Sequence, residues 1–116
     1  MDDIGAVRMT TQMLAVLSVM VAEPTGEWYG LELTQRAGLR PGTIYPILDR
    51  LLKAGWLDRR WEEINPVVEG RPQRRLYRLT GAGAPAARRA LDEHLASLRR
   101  AGSRPPVAPR PRPGVA

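Results

Sequence analysis

A chain of 116 residues with a formal net charge of +6 has room for one small domain and a tail. It contains no Cys, which excludes disulfides, thiol catalysis and cysteine-based zinc sites. The single histidine, His94, cannot form a multi-histidine metal site, so we expect no metal, no other cofactor and no enzymatic activity.

The charge is distributed unevenly along the chain. Residues 1–70 carry 7 Lys and Arg against 10 Asp and Glu, a net charge of −3. Residues 71–116 carry 11 Arg against 2 acidic residues, a net charge of +9. A polyanion would therefore meet the C-terminal half of the chain.

The N-terminal part does not have the pattern of an export signal or a membrane span. The apolar segment at residues 13–22 is far shorter than the ~20 residues that cross a bilayer. Asp2 and Asp3 stand where a signal peptide would carry basic residues. We therefore expect a cytoplasmic protein without a membrane partner.

The first predicted helix covers about residues 9–22, with Thr10 or Thr11 placed to cap it. Its apolar residues recur at spacings of three and four, namely Met13, Leu14, Leu17, Met20 and Val21. Because these residues occupy more than one face, the helix should be largely buried. A second, shorter helix is predicted over residues 28–37, and Gly38 supplies the left-handed residue of a tight turn.

The third predicted helix begins at Pro41, a favoured first-turn position, and ends at Gly55. Ile44, Leu48 and Leu51 form its apolar stripe. Small, hydroxyl and basic groups crowd its first turn, and a strand follows it directly. This arrangement is typical of a recognition helix that leads into a wing, so reading of double-stranded DNA is the leading hypothesis.

Two strands are predicted after this helix, at residues 56–62 and 74–80. The turn between them contains Asn-Pro and Gly-Arg-Pro steps. Arg71, Arg74 and Arg75 make the hairpin basic. It is interpreted either as a DNA-contacting wing or as a solvated basic hairpin.

A last helix is predicted from Pro85 to about Arg100. Ala87, Leu91, Leu95 and Leu98 form one apolar stripe that no earlier element obviously covers. An uncovered stripe on a terminal helix indicates a partner helix, so we expect a homodimer. We assign the dimer interface to residues of the first and last helices: Leu14, Leu17, Leu91, Leu95 and Leu98.

The predicted fold class is therefore mainly α with a small two-stranded antiparallel wing. Residues 1–80 form a winged helix-turn-helix DNA-binding domain, and residues 81–100 form a C-terminal dimerisation helix. Residues 101–116 are rich in Pro and Arg and should be a disordered tail, whose arginines add nonspecific attraction to phosphate.

Four segments resemble the PadR-like transcriptional regulators, a family named for the repressor of phenolic acid decarboxylase. They are Tyr-Gly-Leu-Glu-Leu at residues 29–33, Pro-Gly-Thr-Ile-Tyr-Pro-Ile-Leu-Asp-Arg-Leu at 41–51, Gly-Trp-Leu at 55–57 and Gly-Arg-Pro-Gln-Arg-Arg-Leu-Tyr-Arg-Leu-Thr at 70–80. The resemblance covers about residues 10–100. A single C-terminal helix makes the chain similar to the smaller subgroup of the family.

The resemblance implies a sequence-specific transcriptional regulator, most simply a dimeric repressor on a pseudo-palindromic operator. The expected DNA contacts on the recognition helix are Arg40, Thr43, Tyr45, Pro46, Arg50 and Lys53, and those on the wing are Arg71, Arg74 and Arg75. Tyr45 resembles a phosphate or sugar contact and Pro46 an apolar contact. A small aromatic or drug-like inducer is also implied, with one Trp lining an aromatic pocket at the dimer interface.

Two other functions stay open on the sequence. A ligand-independent DNA-binding control or architectural protein would suit the small size of the chain. A protein-interaction adaptor would keep the winged fold without binding DNA, and its DNA affinity would not depend on the wing arginines.

Overall fold

The computed structural model describes residues 4–102, and the end of the predicted tail, residues 103–116, lies outside them. The elements in chain order are α1 (Thr11–Val21), β1 (Trp28–Tyr29), α2 (Gly30–Ala37), α3 (Pro41–Lys53), β2 (Leu57–Trp61), α4 (Pro66–Glu69), β3 (Arg75–Leu79) and α5 (Gly83–Gly102). The predicted fold class, a mainly helical winged helix-turn-helix with a C-terminal helix, is confirmed.

Helix α1 is the centre of the core. Its N-cap Thr10 accepts a hydrogen bond from the Met13 backbone N–H at 3.1 Å. The side chains on more than one face are buried, as the sequence predicted, and they include Met13, Val16, Leu17 and Met20. α1 packs against α2, α3 and α5, so the three other long helices share one core.

The sheet has three antiparallel strands in the order β1-β3-β2, where the sequence predicted two. Trp28 pairs with Tyr77 and Tyr29 with Leu76, so the two aromatic residues expected to begin the second helix form a short strand instead. Aromatic side chains favour strands, and the backbone N–H of Tyr29 donates to Glu32 Oε1 at 3.0 Å. This side-chain cap makes Gly30 the first helical residue.

The turn between α2 and α3 follows the sequence prediction. Gly38 has a φ of 68°, and the Leu39 backbone N–H donates to the Thr34 carbonyl at 3.1 Å. Helix α3 begins at Pro41 and buries its apolar stripe, which consists of Ile44, Ile47, Leu48 and Leu51. The opposite face of α3 is therefore held toward solvent.

The turn of the hairpin contains a further short helix that the sequence analysis did not predict. Helix α4 is capped by Asn65, whose Oδ1 accepts from the Val67 backbone N–H at 3.0 Å. It ends at Gly70, which has a φ of 69°. Val67 and Val68 are almost fully exposed on it.

Helix α5 begins at Gly83, two residues before the predicted Pro85. Thr80 Oγ1 accepts from the Gly83 backbone N–H and donates to the Gly55 carbonyl, both at 2.8 Å. This hydroxyl therefore joins the end of α3 to the start of α5. It also satisfies one of the backbone N–H groups at the N-terminus of α5.

The apolar stripe of α5 is covered in part by the same chain. Ala87 is buried, and Leu91 packs against the core next to α1. Leu95 and Leu98 remain 50% and 55% exposed. The expectation that nothing earlier in the chain covers the stripe is therefore wrong for its first half.

We predict that Gly83→Ala destabilises the protein by about 2–3 kcal/mol, because the added methyl group overpacks a rigid site. A Cβ at this position would lie 2.0 Å from the Trp56 carbonyl oxygen and 2.7 Å from its carbon. Both are backbone atoms that cannot rotate away. Urea denaturation measures the difference.

Gly81→Ala is the matched control, since a Cβ there meets no atom within 4 Å. Equal urea midpoints for Gly83→Ala and Gly81→Ala would contradict the predicted close approach of α5 to Trp56.

Candidate nucleic-acid interface

The exposed face of α3 carries most of the residues that the sequence predicted for DNA contact. Arg40, Pro46, Arg50 and Lys53 are exposed, and Thr43 is half-buried. Five of the six predicted positions therefore lie on α3 and the sixth, Arg40, is its N-cap residue, and none of them is buried in the core. Lys53 forms an exposed i, i+4 ion pair with Asp49 at 2.8 Å, which is worth a few tenths of a kcal/mol.

Tyr45 leans from α3 toward α2. A Cβ built on Gly30 would lie 2.7 Å from the Tyr45 hydroxyl oxygen, so the ring lies over the side of Gly30 that carries no side chain. The ring is 48% exposed. The side chain is thus placed by a packing contact while one surface stays open to solvent.

The shape of the wing depends on Glu62, which is 5% exposed and follows β2 directly. Its carboxylate accepts from the Tyr29 hydroxyl at 2.8 Å and from the Arg74 backbone N–H at 3.0 Å. The guanidinium of Arg71 donates to both carboxylate oxygens. A buried carboxylate is tolerated only when it is paired and hydrogen-bonded in this way.

Backbone hydrogen bonds and a glutamine close the hairpin around this carboxylate. The Glu62 backbone N–H donates to the Arg74 carbonyl at 2.9 Å. Gln73 Nε2 donates to the Glu62 carbonyl at 3.0 Å. The two ends of the hairpin turn are therefore tied together at one point, which we call the Glu62 cluster (Tyr29, Glu62, Arg71, Gln73 and Arg74).

The hydrogen bonds from Arg71 hold the pKa of Glu62 at about 2, below its ordinary 4.5. Burial opposes this change, while the Tyr29 hydroxyl and the Arg74 backbone N–H add to it. The hydrogen bond that the Tyr29 hydroxyl donates to Glu62 raises the pKa of the Tyr29 phenol. The side chain of Glu62 is therefore ionised near neutral pH.

Arg71 was predicted to contact DNA, and the structure gives its guanidinium a different partner. It is bound to the buried carboxylate of Glu62 on the same wing. Removing it would leave that carboxylate without its cation, so Arg71 sets the shape of the wing. A contact to DNA would require this ion pair to open.

Arg74 and Arg75 are held differently from Arg71. The Arg74 guanidinium lies 5.2 Å from the centroid of the Tyr29 ring, and that of Arg75 lies 4.6 Å from the Trp61 ring. Within residues 4–102, neither guanidinium has a carboxylate partner. Their N–H groups therefore remain available to an anion.

These two arginines and Tyr45 meet at a cleft of about 420 Å³ between α3 and the wing. The cleft is lined by Tyr29, Gly30, Leu31, Tyr45, Trp61, Arg74, Arg75 and Tyr77. Three of these residues, Tyr45, Arg74 and Arg75, were predicted from the sequence as functional, and the other five were not. Alternation along β2 places Trp61 on the face of Leu57, but its position opposite Arg75 follows only from the strand register.

The five residues assigned to the dimer interface fall into two groups. Leu14 and Leu17 are 9% and 0% exposed and pack within the core of the same chain. Leu91 is half-buried, and Leu95 and Leu98 are exposed. Only the second group presents surface to a partner, because α1 turns its leucines toward its own core.

Residues 4–102 hold neither a cluster of metal ligands nor a membrane-spanning helix. No group of three or more His, Asp and Glu side chains there could hold a metal ion. No helix there has the length and apolar composition that crossing a membrane requires.

Three helices, a hairpin that follows the third of them, and a basic exposed face on that helix define a winged helix-turn-helix protein. The sequence model of the PadR-like transcriptional regulator family matches residues 16–89, and the chain belongs to this family. It is therefore a DNA-binding transcriptional regulator by class. No curated protein matches the sequence.

Solved structures of other regulators share the fold. PcaV of Streptomyces coelicolor, in complex with its natural ligand, has a TM-score of 0.65 at 28% identity over 91% of this chain and 68% of that chain. A mutant of E. coli MarR has a TM-score of 0.64 at 22% identity, covering 86% and 68%. A mutant of Lactococcus lactis ZitR has a TM-score of 0.62 at 14% identity, and the present chain spans 60% of its length.

We predict that the stability of the wild type falls as the pH is lowered from about 4.5 toward 2. The pKa of Glu62 is lower in the folded protein than its ordinary value, so its contribution is complete above pH 4.5 and is lost as the pH approaches 2. Glu62→Gln should be less stable near neutral pH and should show a shallower slope over this window. Chemical denaturation at a series of pH values measures both.

Glu63→Gln removes the neighbouring carboxylate, which is exposed, and serves as the control. If Glu63→Gln flattened the slope as much as Glu62→Gln does, the buried cluster would not be its source.

Proposed function

We propose that the protein is a homodimeric repressor that binds a pseudo-palindromic operator and is released by a small aromatic signal. The observation that carries the proposal is the juxtaposition of the exposed face of α3 with the carboxylate-free guanidiniums of Arg74 and Arg75. Membership of the PadR-like family supports it. Tyr45 of α3 lines the same cleft as these two arginines.

The first turns of α3 enter the major groove in this proposal, where base edges carry a readable pattern. Arg40 forms a bidentate pair with guanine or holds a phosphate, and Thr43 meets a thymine methyl group or a phosphate. Pro46 makes an apolar contact and Tyr45 a sugar or phosphate contact. Arg50 and Lys53 lie further along the helix and contact the DNA backbone.

The strands of the wing, more than its tip, supply the second set of contacts. Residues 63–70 contain the exposed Glu63 and Glu69 and no Lys or Arg, so the tip of the hairpin repels phosphate. Arg74 and Arg75, just before and at the start of β3, instead line the cleft between α3 and the wing, where the DNA backbone would pass. Arg71 acts indirectly, by fixing the hairpin through Glu62.

Dimerisation in this proposal uses the second half of α5, within the assigned segment 81–100. Residues 1–80 are the DNA-binding unit. A groove of about 410 Å³ runs between α1 and α5 and is lined by Val21, Ala22, Leu91 and Leu95, among others. The corresponding helix of a second copy would cover this groove together with Leu98, and a two-fold axis would pair the two α3 helices.

The signal is proposed by analogy with two relatives of the same fold. The structure of PcaV contains its natural ligand, and that of NadR contains 4-hydroxyphenylacetate. NadR has a TM-score of 0.58 at 19% identity, so the analogy rests on the fold. The aromatic side chains on the present chain support a ligand of related chemistry.

We predict that selection from a random pool of duplexes enriches a palindromic motif. Thr43→Ala combined with Tyr45→Ala should lose it, because the change removes an apolar contact with a base and a backbone contact that fixes the register of α3 on the duplex. Arg78→Gln is the control: Arg78 pairs with Asp58 at 3.8 Å on the opposite face of β3 from Arg75. Salt-sensitive retention of DNA with no enriched motif would contradict sequence-specific recognition and favour an architectural role.

We predict that Leu95→Glu with Leu98→Glu converts the dimer to a monomer, because two charges would be buried at the partner helix. Sedimentation equilibrium measures the mass, and the thermal midpoint shows whether the chain still folds. Val68→Glu, which also replaces an exposed apolar residue by a carboxylate, should leave the dimer intact. If the variant with both substitutions sedimented as a dimer, like the wild type, the dimer interface would not lie on this part of α5.

A further inference from the structure

The first residue of α2, Gly30, lies in direct contact with the ring of Tyr45 from α3. A Cβ built on Gly30 would have three nearest heavy atoms, and all of them belong to this ring: Oη at 2.7 Å, Cε1 at 2.9 Å and Cζ at 3.1 Å. Ordinary contacts between carbon atoms lie at about 3.5–4.0 Å. An alanine at this position would therefore require the ring to move by roughly 1 Å.

The backbone conformation of Gly30 does not itself require a glycine. The glycines with a left-handed φ are Gly38, Gly55 and Gly70, and Gly30 is not one of them. Alanine is the better helix former, so the backbone of α2 would accept it at this position. What glycine provides here is the space that the ring of Tyr45 occupies.

The backbone of Gly30 is fixed on both sides, so it cannot withdraw from an added methyl group. Its carbonyl accepts from Thr34 Oγ1 at 2.8 Å. The preceding residue, Tyr29, belongs to β1 and donates its hydroxyl to the buried Glu62 carboxylate at 2.8 Å. Tyr45, in contrast, is 48% exposed, and its hydroxyl forms no hydrogen bond with any residue from 4 to 102. A methyl group on residue 30 would therefore displace the ring and leave the fold in place.

The position of the Tyr45 ring matters for the proposed contact with DNA. Tyr45 lines the same cleft as Arg74 and Arg75, where the DNA backbone would pass. Contacts with sugar and phosphate fix the register and orientation of a protein on the duplex. A binding group must be held within about 0.5 Å of its productive position. The displacement that alanine would impose, roughly 1 Å, exceeds this tolerance.

We propose that Gly30 is a positioning residue for DNA recognition, because the side of its backbone without a side chain sets the direction of the Tyr45 ring. The inference rests on the proposed function, since it uses the contact of Tyr45 with the DNA backbone. Gly30 itself makes no contact with DNA. Two consecutive residues then serve both recognition elements: Tyr29 holds the wing through Glu62, and Gly30 places the side chain from α3.

The first experiment follows the Tyr45 ring in the free, full-length protein by nuclear magnetic resonance. A strong nuclear Overhauser effect should join the Gly30 Hα and Tyr45 Hε protons of the wild type. The Tyr45 ring resonances should shift in Gly30→Ala and stay unchanged in Gly81→Ala, where a Cβ meets no atom within 4 Å. Unchanged ring resonances in Gly30→Ala would overturn the positioning role.

Thermal midpoints show whether the added methyl group acts through the ring. Gly30→Ala should keep the midpoint of the wild type, because the exposed ring can move. If Gly30→Ala is destabilised, adding Tyr45→Ala should restore the midpoint to that of Tyr45→Ala alone, since no ring remains in the way. A destabilisation that persists without the ring would show that Gly30 serves another contact, and it would overturn the proposal.

The second experiment measures affinity for the duplex most enriched from the random pool. Gly30→Ala should weaken binding roughly tenfold, as the loss of one hydrogen bond to a charged acceptor does. In a chain that already carries Tyr45→Ala, the same substitution should have no further effect. Gly81→Ala is the control and should bind as the wild type does.

Two further readouts separate a displaced ring from a damaged wing. The slope of log affinity against log salt concentration should be the same in Gly30→Ala as in the wild type, because Tyr45 neutralises no phosphate. The loss of stability between pH 4.5 and about 2, which reports on Glu62, should also be unchanged. A smaller salt slope or a flatter acid profile would show that the wing had moved and would overturn the role assigned to Gly30.

The affinities also distinguish failure of this inference from failure of the proposed function. Equal affinity of the wild type and Gly30→Ala, or losses that add in the double variant, would overturn the positioning role and leave DNA binding intact. If the wild type bound no duplex, the proposed function would fail and the DNA role of Gly30 with it.

Discussion

The buried carboxylate of Glu62 is the interaction on which the functional side of the molecule depends. It receives hydrogen bonds from β1 through Tyr29, from the hairpin turn through Arg71 and from the backbone of Arg74. A charged group in this position must be fully paired, so the geometry of all three segments is constrained together. The wing is thereby fixed relative to the start of α2, and the cleft beside α3 acquires a defined width.

The pairing of the buried Glu62 carboxylate divides the arginines of the wing into two groups. Arg71 neutralises Glu62 and is unavailable to a ligand without loss of that pairing. Arg74 and Arg75 lie on aromatic rings and keep their edges free of carboxylates within the described chain. Positive charge that looks uniform along residues 71–78 is therefore directed toward the groove between α3 and the wing. The cleft therefore carries positive charge of the kind that the proposed contact with DNA phosphate requires.

Thr80 connects the end of α3 to the start of α5. Its hydroxyl joins the carbonyl of Gly55, at the end of α3, to the first N–H of α5 at Gly83. The close approach of Gly83 to Trp56 leaves no space for a side chain there. The helix proposed for dimerisation is thus in direct contact with the segment that follows the recognition helix. Two copies joined through α5 would hold their α3 helices at a fixed separation, which is the requirement for reading a palindrome.

The sequence by itself determined the helices of the helix-turn-helix, the left-handed Gly38, the start of α3 at Pro41 and the family. Each of these follows from the local spacing of apolar residues or from the backbone preference of a single residue. Both are properties of neighbouring residues, so they can be seen in the sequence. The tertiary structure decided the pairing of β1, the burial of Leu14 and Leu17, and which wing arginines have carboxylate partners. These depend on contacts between distant residues, such as Tyr29 with Glu62 and Trp61 with Arg75. Local periodicity can show that a side chain is apolar or charged, but only the packed chain determines which partner it meets.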